Sequence, residues 1–547
     1  MTVPTQDNFY PHLVRIISET NGIGLNDTLH LLLSAQRIKE NPALSVQLEE
    51  FIKLLAQFHL GRCDIHDLLK HPVSLAFFQF FNHFPLRYHE EHIHLTGSLD
   101  ANFIFPLLQN LLQGPQGDEY AQKIEQVYGV NLGQQKNLTV EKLQQLISLQ
   151  KGQSFSDYLK ILLIPKMVLG NRDTHSAAAY HMASNLYQNF HVGKIRLKFT
   201  LSRANALSSE QIPRDNGQQL TEEDVILGLY DGFRSFQEAH PDFNFSLSPC
   251  FRKEGLFYDA KRFASKQEDF TYQVSTLLEI LDKYPFLSSV MNEVDTVGDE
   301  RELYRKKHFE ELKQGFRRLQ YRGFRVRSHH GENWFTLRKG VQSVDNAMNI
   351  WRIDALEHGI SLGINPNYYF HRLYQQVMEW NNRQKAIPQG SPEFYEIDEM
   401  DWANPQIKNK LFTGNRLNNE DVVEFIKTKY HMALEVETYQ HDVLNRMLSK
   451  EVELIALPSS NLKLTGRFPH YKDHPFSWWE KKGAHLGVGT DNYVTLNTNY
   501  LQELLILLYS DPENLKITKL LMVATQEKRR PYIGHLLWEM NKKLGNI

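Results

Sequence analysis

The chain has 547 residues, 41% of them hydrophobic and 23% charged, with 61 basic against 64 acidic side chains and a formal net charge of −3. These are ordinary values for a soluble globular protein with room for two or three domains, or for one large domain with additions. The charge balance gives no reason to expect a general nucleic-acid or membrane-surface binder. The two cysteines, Cys63 and Cys250, exclude a disulfide framework and any cysteine-rich zinc module and fit a reducing compartment. The N-terminus lacks the basic and apolar regions of a signal peptide, and the longest apolar runs, Val73–Phe81 and Leu501–Tyr509, are too short or interrupted to span a bilayer. A cytoplasmic protein without a membrane partner is the expectation.

Residues 1–88 read as a helical N-terminal extension. Asn26 and Asp27 are placed to cap a helix over Thr28–Lys39, and Leu48–Leu60 repeats the apolar spacing. Phe78, Phe80, Phe81 and Phe84 form an aromatic cluster that suits a helical cap on a main domain. The stretch Glu91–Leu99 then alternates like a strand, which puts His92 and His94 on one face with Ile93 on the other. With 24 histidines in the chain, chance supplies roughly one His-x-His, so this pair by itself fits core histidines as well as ligands.

Downstream, helical and extended segments alternate. Residues 101–190 look mainly helical, with a polar break near Gly114–Gly117. Strand-like runs follow at Lys194–Leu201, Phe243–Cys250, Ser288–Val294, Phe324–His329, Ile353–Leu362, Val452–Leu457 and Ala484–Thr490. With Glu91–Thr96 they make eight, and strands alternating with helices predict βα units and a (β/α)8 barrel of the TIM type, an α/β fold. The barrel domain, residues 89–515, exceeds the roughly 250 residues of a plain barrel, so long helical insertions are expected, with 101–185, 204–222 and 370–445 the best candidates. Residues 516–547 read as a C-terminal helical segment.

In such a barrel the site lies at the C-terminal strand ends, and these ends are rich in chemistry. They carry His92 and His94; Asp295-Thr296-Val297-Gly298-Asp299-Glu300; His329-His330-Gly331-Glu332; Glu357-His358-Gly359; Ser459-Ser460-Asn461; and Thr490-Asp491-Asn492. The series, in this order, resembles the adenosine/AMP deaminase family of metal-dependent amidohydrolases, from about Arg87 to Leu505. The resemblance implies His92, His94, His329 and Asp491 as ligands of Zn²⁺, a donor set that leaves a position for water. It implies Glu332 as the acid that protonates purine N1 and His358 as the residue that orients water and takes its proton. Gly298 is implied as the glycine whose N–H meets purine N3. His330 stands where the family has alanine and reads as a neighbour; Asp295, Asp299 and Glu300 read as loop and cap groups.

Two departures concern the substrate. Family members that act on adenosine have aspartate where this chain has Thr96, at the ribose 5′ position. Two unit charges about 4 Å apart cost on the order of 4 kcal/mol at an effective dielectric of 20, so an aspartate there repels a 5′-phosphate and Thr96 does not. The expectation is hydrolytic deamination of AMP or dAMP over adenosine, with Arg467 or Lys463 as candidate phosphate partners. Asn492 replaces the aspartate that contacts purine N7; its amide can donate to that nitrogen without protonation, or the change can mark a different base preference. The alternatives are another aminopurine or an N6-substituted AMP as substrate, and a low-turnover barrel acting as a binding or assembly component, alone as a homo-oligomer or with other proteins, for example in antiviral defence. Other zinc readings fail: the cytidine-deaminase signature needs Pro-Cys-x-x-Cys, and His89-Glu90-Glu91-His92 has the wrong spacing for His-Glu-x-x-His.

Overall fold

The computed structural model describes residues 8–130, 138–150, 152–153, 155–201 and 220–545. Eight strands form one parallel sheet in chain order: β1 Tyr88–His94, β2 Val192–Thr200, β3 Asn244–Arg252, β4 Glu293–Val297, β5 Arg325–His330, β6 Ala355–His358, β7 Glu453–Ala456 and β8 Leu486–Val488. The sheet closes through a parallel bridge between Ile93 and Asp491, fastened by Asp491 N–H donating to His92 O at 2.9 Å and His94 N–H to Asp491 O at 2.8 Å. The expected (β/α)8 barrel is therefore the fold, and a predicted metal ligand makes its last seam.

All eight predicted strands are present with shifted ends. The predicted strand at Ser288–Val294 begins only at Glu293, because Pro285–Ser289 turns as a 3-10 helix. The one at Ile353–Leu362 shrinks to four residues, since Gly359 enters the left-handed region at φ 60° and Ile360–Leu362 forms another 3-10 turn. The predicted helix over Thr28–Lys39 starts earlier, at Leu25 with Gly24 as its cap residue, and breaks at Ala35, whose backbone is extended. Asn26 and Asp27 thus lie inside its first turn, where Asp27 faces the positive end of the helix dipole.

The insertion expected at 101–185 is a series of helices, Ala101–Gln113, Gly117–Tyr128, Val140–Leu146, Phe155–Ile161, Leu163–Val168 and Arg172–Asn189. Residues 370–445 belong mainly to Pro366–Asn382, Pro392–Glu399, Pro405–Thr413 and the 31-residue helix Asn419–Ser449. Most of 204–222 lies outside the described residues. At the opposite end of the chain order, Phe9–Glu19 packs on both Pro72–Asn82 and Arg530–Gly545, so the first and last helices share one apolar cluster with the barrel helices. Among the described residues no helix is long and apolar enough to cross a membrane.

The barrel interior is charged rather than aliphatic near β1–β7. Arg196 reaches Glu91 at 2.8 Å and Glu293 at 2.9 Å, and Arg327 reaches Glu453 at 3.2 Å and Glu357 at 2.6 Å. Taking charges out of water costs several kcal/mol per ion unless they are paired. The observed alternation of signs supplies that pairing and gives a rigid floor to the strand-end site.

Candidate functional site

The predicted ligands converge. His92 Nε2 lies 3.1 Å from His94 Nε2, which lies 3.3 Å from His329 Nε2. Asp491 Oδ1 is 3.5 Å from His94 Nε2 and 3.9 Å from His92 Nε2. Strand alternation delivers the first pair, β5 the third imidazole, and the turn after β8 the carboxylate. His358 and Asp491 both sit at positive φ, 68° and 67°, a backbone region that non-glycine residues seldom occupy and that clusters at functional sites.

The hydrogen bonds behind the rings decide what the cluster can hold. His92 Nδ1 is 2.7 Å from Glu357 Oε2, and His329 Nδ1 is 3.1 Å from Asp295 Oδ1. Burial alone would raise the Glu357 carboxyl, but Arg327, Lys198 and His92 hold it well below its ordinary range. An ionised carboxylate only accepts, so His92 carries its proton on Nδ1 and turns a lone pair inward at Nε2. Lys198, bonded to both Asp295 and Glu357, holds in place the Asp295 carboxylate that faces His329 Nδ1. Burial also drives the His92, His94 and His329 rings well below the usual imidazole pKa, so they are neutral. The inward lone pairs of His92 and His329 both converge on His94 Nε2, at 3.1 and 3.3 Å. Tetrahedral zinc with bonds of about 2.0–2.1 Å places its nitrogens about 3.3 Å apart, which matches. The donor set fits Zn²⁺, and Glu357 and Asp295 are the carboxylates that orient its histidines.

His358 completes the ring of imidazoles, with its Nε2 3.8 Å from Glu332 Oε2. Its Nδ1 faces the Asn461 amide at 2.9 Å, and that amide faces His474 Nε2 at 3.3 Å through its other atom. Asn461 therefore sets the His358 tautomer. With its nitrogen toward His358 the ring proton sits on Nε2; with its oxygen there Nε2 is free to accept a proton, and His474 can serve either arrangement. Glu332 is 7% exposed, and burial, then the charges of Asp491 and Glu300, push its pKa up to about 8. Glu300 holds the turn by accepting from the N–H groups of Gly331 at 3.0 Å, Glu332 at 2.6 Å and Asn333 at 2.7 Å. That is the cap role expected of it.

The residues predicted to touch substrate lie less simply. Thr96 is half-buried and lines a cavity with His94, Lys166, His175, Lys198 and Thr200. Gly298 has φ 111°, and the space its missing side chain leaves is taken by the Glu254 carboxylate. Asn492 turns its amide nitrogen to Tyr158 Oη at 2.8 Å and Asp491 Oδ1 at 2.5 Å. Lys463 donates to Leu496 O at 2.6 Å, while Arg467 holds Asn333 Oδ1 at 2.6 Å and the Trp334 carbonyl. Both candidate phosphate cations are thus engaged in fastening loops. Lys166, which sequence reasoning did not single out, lines the Thr96 cavity together with Lys198; burial and then Arg252 lower its pKa to about 8. His330 packs behind the site against Phe309 and Trp351 and pairs with Ser328 at 2.6 Å, a core neighbour as expected.

Fold and cluster together define a (β/α)8 barrel with a candidate metal centre at its C-terminal mouth. Among solved structures the chain is similar to the N6-methyl-AMP deaminase of Arabidopsis thaliana, with a TM-score of 0.46 and 12% identity over 85% of this chain and 98% of that one. It is also similar to the protein of an ADAL–IMP complex, with TM-score 0.47 and 12% identity over 86% and 100% of the two chains. A third is an amidohydrolase from Burkholderia ambifaria with bound zinc, at TM-score 0.45 and 11% identity over 85% and 94%. No family model matches the chain, and no curated protein matches it in sequence.

Proposed function

We propose that the chain is a zinc-dependent hydrolase that removes the 6-amino group of an adenine nucleotide, AMP or dAMP in preference to adenosine, to give the inosine compound and ammonia. The observation that carries this reading is the meeting of three neutral imidazoles and a carboxylate with a buried acid, Glu332, at one strand-end mouth.

Bound zinc supplies the Lewis acidity that makes water a nucleophile at neutral pH. The remaining work falls to side chains. Glu332, raised to about 8, is protonated at neutral pH and gives its proton to the purine N1, which makes C6 electrophilic. His358 faces the same space and takes the proton from the attacking water when Asn461 presents its oxygen to Nδ1. As the bond from C6 to the exocyclic amino nitrogen breaks, that proton leaves with the amino group as ammonia, and the hydroxyl now on C6 gives its proton back to Glu332 as the carbonyl forms. Gly298 N–H is the remaining candidate contact to the ring. Desolvation at this mouth strengthens each of these contacts, since polar groups aimed into a low-dielectric site are worth more than in water.

The preference for a nucleotide rests on the Thr96 cavity. Its lining holds Lys166 and Lys198 and no carboxylate among the described residues. Lys198 pairs with Asp295 and Glu357, Lys166 lines the same cavity, and the uncharged Thr96 does not repel a 5′-phosphate there. The test is ammonia release by zinc-loaded protein from a panel of adenosine, AMP, dAMP and N6-methyl-AMP. AMP or dAMP is expected to lead, with activity lost in Glu332→Gln. Equal kcat/KM for adenosine and AMP would remove the phosphate reading, and no ammonia from any compound would remove the deaminase reading.

A further inference from the structure

Helix Phe155–Ile161, from the long connection after β1, lies over the barrel mouth. It is seated by a small apolar cluster separate from the main core, in which Tyr158 and Leu162 meet Leu464 of the β7 loop and Leu496 of the β8 loop. The segment before it is tied to the β8 loop by Leu149 N–H donating to Thr495 O at 2.8 Å and Ser148 Oγ–H to Val494 O at 3.3 Å. Tyr158 is 7% exposed, so its phenol is held in one place by packing from three loops.

The hydrogen bonding of that phenol has a direction. Asn492 Nδ2 donates to Tyr158 Oη at 2.8 Å and to Asp491 Oδ1 at 2.5 Å, which uses both of its hydrogens. The opposite orientation would set the amide oxygen against a carboxylate oxygen that already accepts from nothing else on that side. Asn492 Oδ1 instead packs toward Gly97, buried and without a partner. Tyr158 therefore accepts from Asn492 and keeps its own O–H to give, and no acceptor for it occurs among the described residues. A buried hydroxyl without an acceptor is costly, unless a ligand supplies one. Burial, then the charges of Asp491 and Glu332, push the phenol well above its ordinary pKa, so it stays a neutral donor.

We propose that Tyr158 is a specificity residue whose O–H donates to a ring acceptor on the substrate, and that Asn492 holds the phenol instead of touching the base. This rests on the purine reading. With Glu332 on the β5 side addressing N1, the ring acceptor on the other side of the 6-amino group, N7, faces the β8 side, where Tyr158 and Asn492 lie.

The experiment pairs Tyr158→Phe with AMP and its 7-deaza analogue, in which a C–H replaces N7. For AMP the variant is expected to lose about 10–100-fold in kcat/KM, the usual cost of removing a donor from a buried acceptor; for the 7-deaza compound the two proteins should agree within about twofold. Asn492→Ala should reproduce the selective loss in weaker form and add little to Tyr158→Phe. Calorimetric binding of IMP and 7-deaza-IMP gives a second readout that needs no turnover. If adenine compounds are deaminated but Tyr158→Phe affects both substrates equally, or neither, the tyrosine has only a packing role and the inference falls alone. If nothing is deaminated yet IMP binding depends on Tyr158 and 7-deaza-IMP binding does not, the reaction is wrong and the inference stands. Absence of both turnover and IMP binding overturns the two together.

Discussion

The two sides of the barrel mouth are built differently. On the metal side, His92, His94 and His329 project from strands, and their outer nitrogens are fixed by carboxylates that are themselves pinned by Lys198 and Arg327. On the proposed substrate side, Thr96, Lys166, Tyr158 and Asn492 come from turns and from the helical insertion after β1, in which Tyr158 is seated by a small apolar cluster of its own. Rigid strands hold reacting groups to the tolerance that chemistry demands, whereas loops can change what is recognised without disturbing them. On the proposed function, reaction type and substrate choice are then separable, and substitutions on the two sides should show it.

The largest effect is expected from His92→Ala or His329→Ala. Either removes a donor and leaves neighbouring lone pairs unbalanced, so zinc content should fall from one per chain toward none and deamination to background, measured by metal analysis and ammonia release. Next is Glu332→Gln, which should keep the zinc and lose about 10²–10⁴-fold in kcat, the usual range for a general acid. Glu357→Gln is intermediate, because it acts through His92; weakening of zinc affinity by about 10–100-fold is expected, read by chelator competition. On the substrate side the effects shrink and change character. Thr96→Asp should lower kcat/KM for AMP by about tenfold or more through charge repulsion while sparing adenosine, and Lys166→Met should do the same in weaker form. A variant of Thr96 that lost both substrates equally would join the two halves of the mouth into one unit.

The pH dependence belongs to the metal side. In the proposed reaction Glu332 acts in its protonated form, and its pKa is raised to about 8 by burial and by Asp491 and Glu300. The protonated fraction is nearly full at pH 6 and declines as pH rises through about 8, so kcat/KM should fall about tenfold per unit above that point. A profile that rises through this range would assign the acid role elsewhere.

The same division explains what was legible in the sequence. Strand-end motifs such as His92-x-His94 and His329-x-x-Glu332 are local, with their chemistry and spacing in one short stretch, so the eight strands and the residues that converge at their ends could be read directly. The partners that make the site work are not local. Glu357 meets His92 across 265 residues and Lys198 meets Asp295 across 97, so Asp295 read only as a loop group and Lys198 as nothing in particular. Asn492 was visible as a departure, but its orientation depends on Tyr158, 334 residues away. Arg467 and Lys463 showed charge near the right strand, yet whether a cation points into the mouth or fastens a loop is decided by packing that no spacing encodes.

The proposed function stands or falls on whether the four converging donors form a metal-dependent deaminase site. Its most direct test is a titration of metal-stripped protein with zinc, following the conversion of AMP to IMP by absorbance at each loading. Activity should rise in proportion to bound zinc and level off at one equivalent per chain, with Glu332→Gln binding the same equivalent and remaining inactive. Zinc bound at one equivalent with no turnover of AMP or any other adenine compound, or turnover indifferent to the metal, would contradict it.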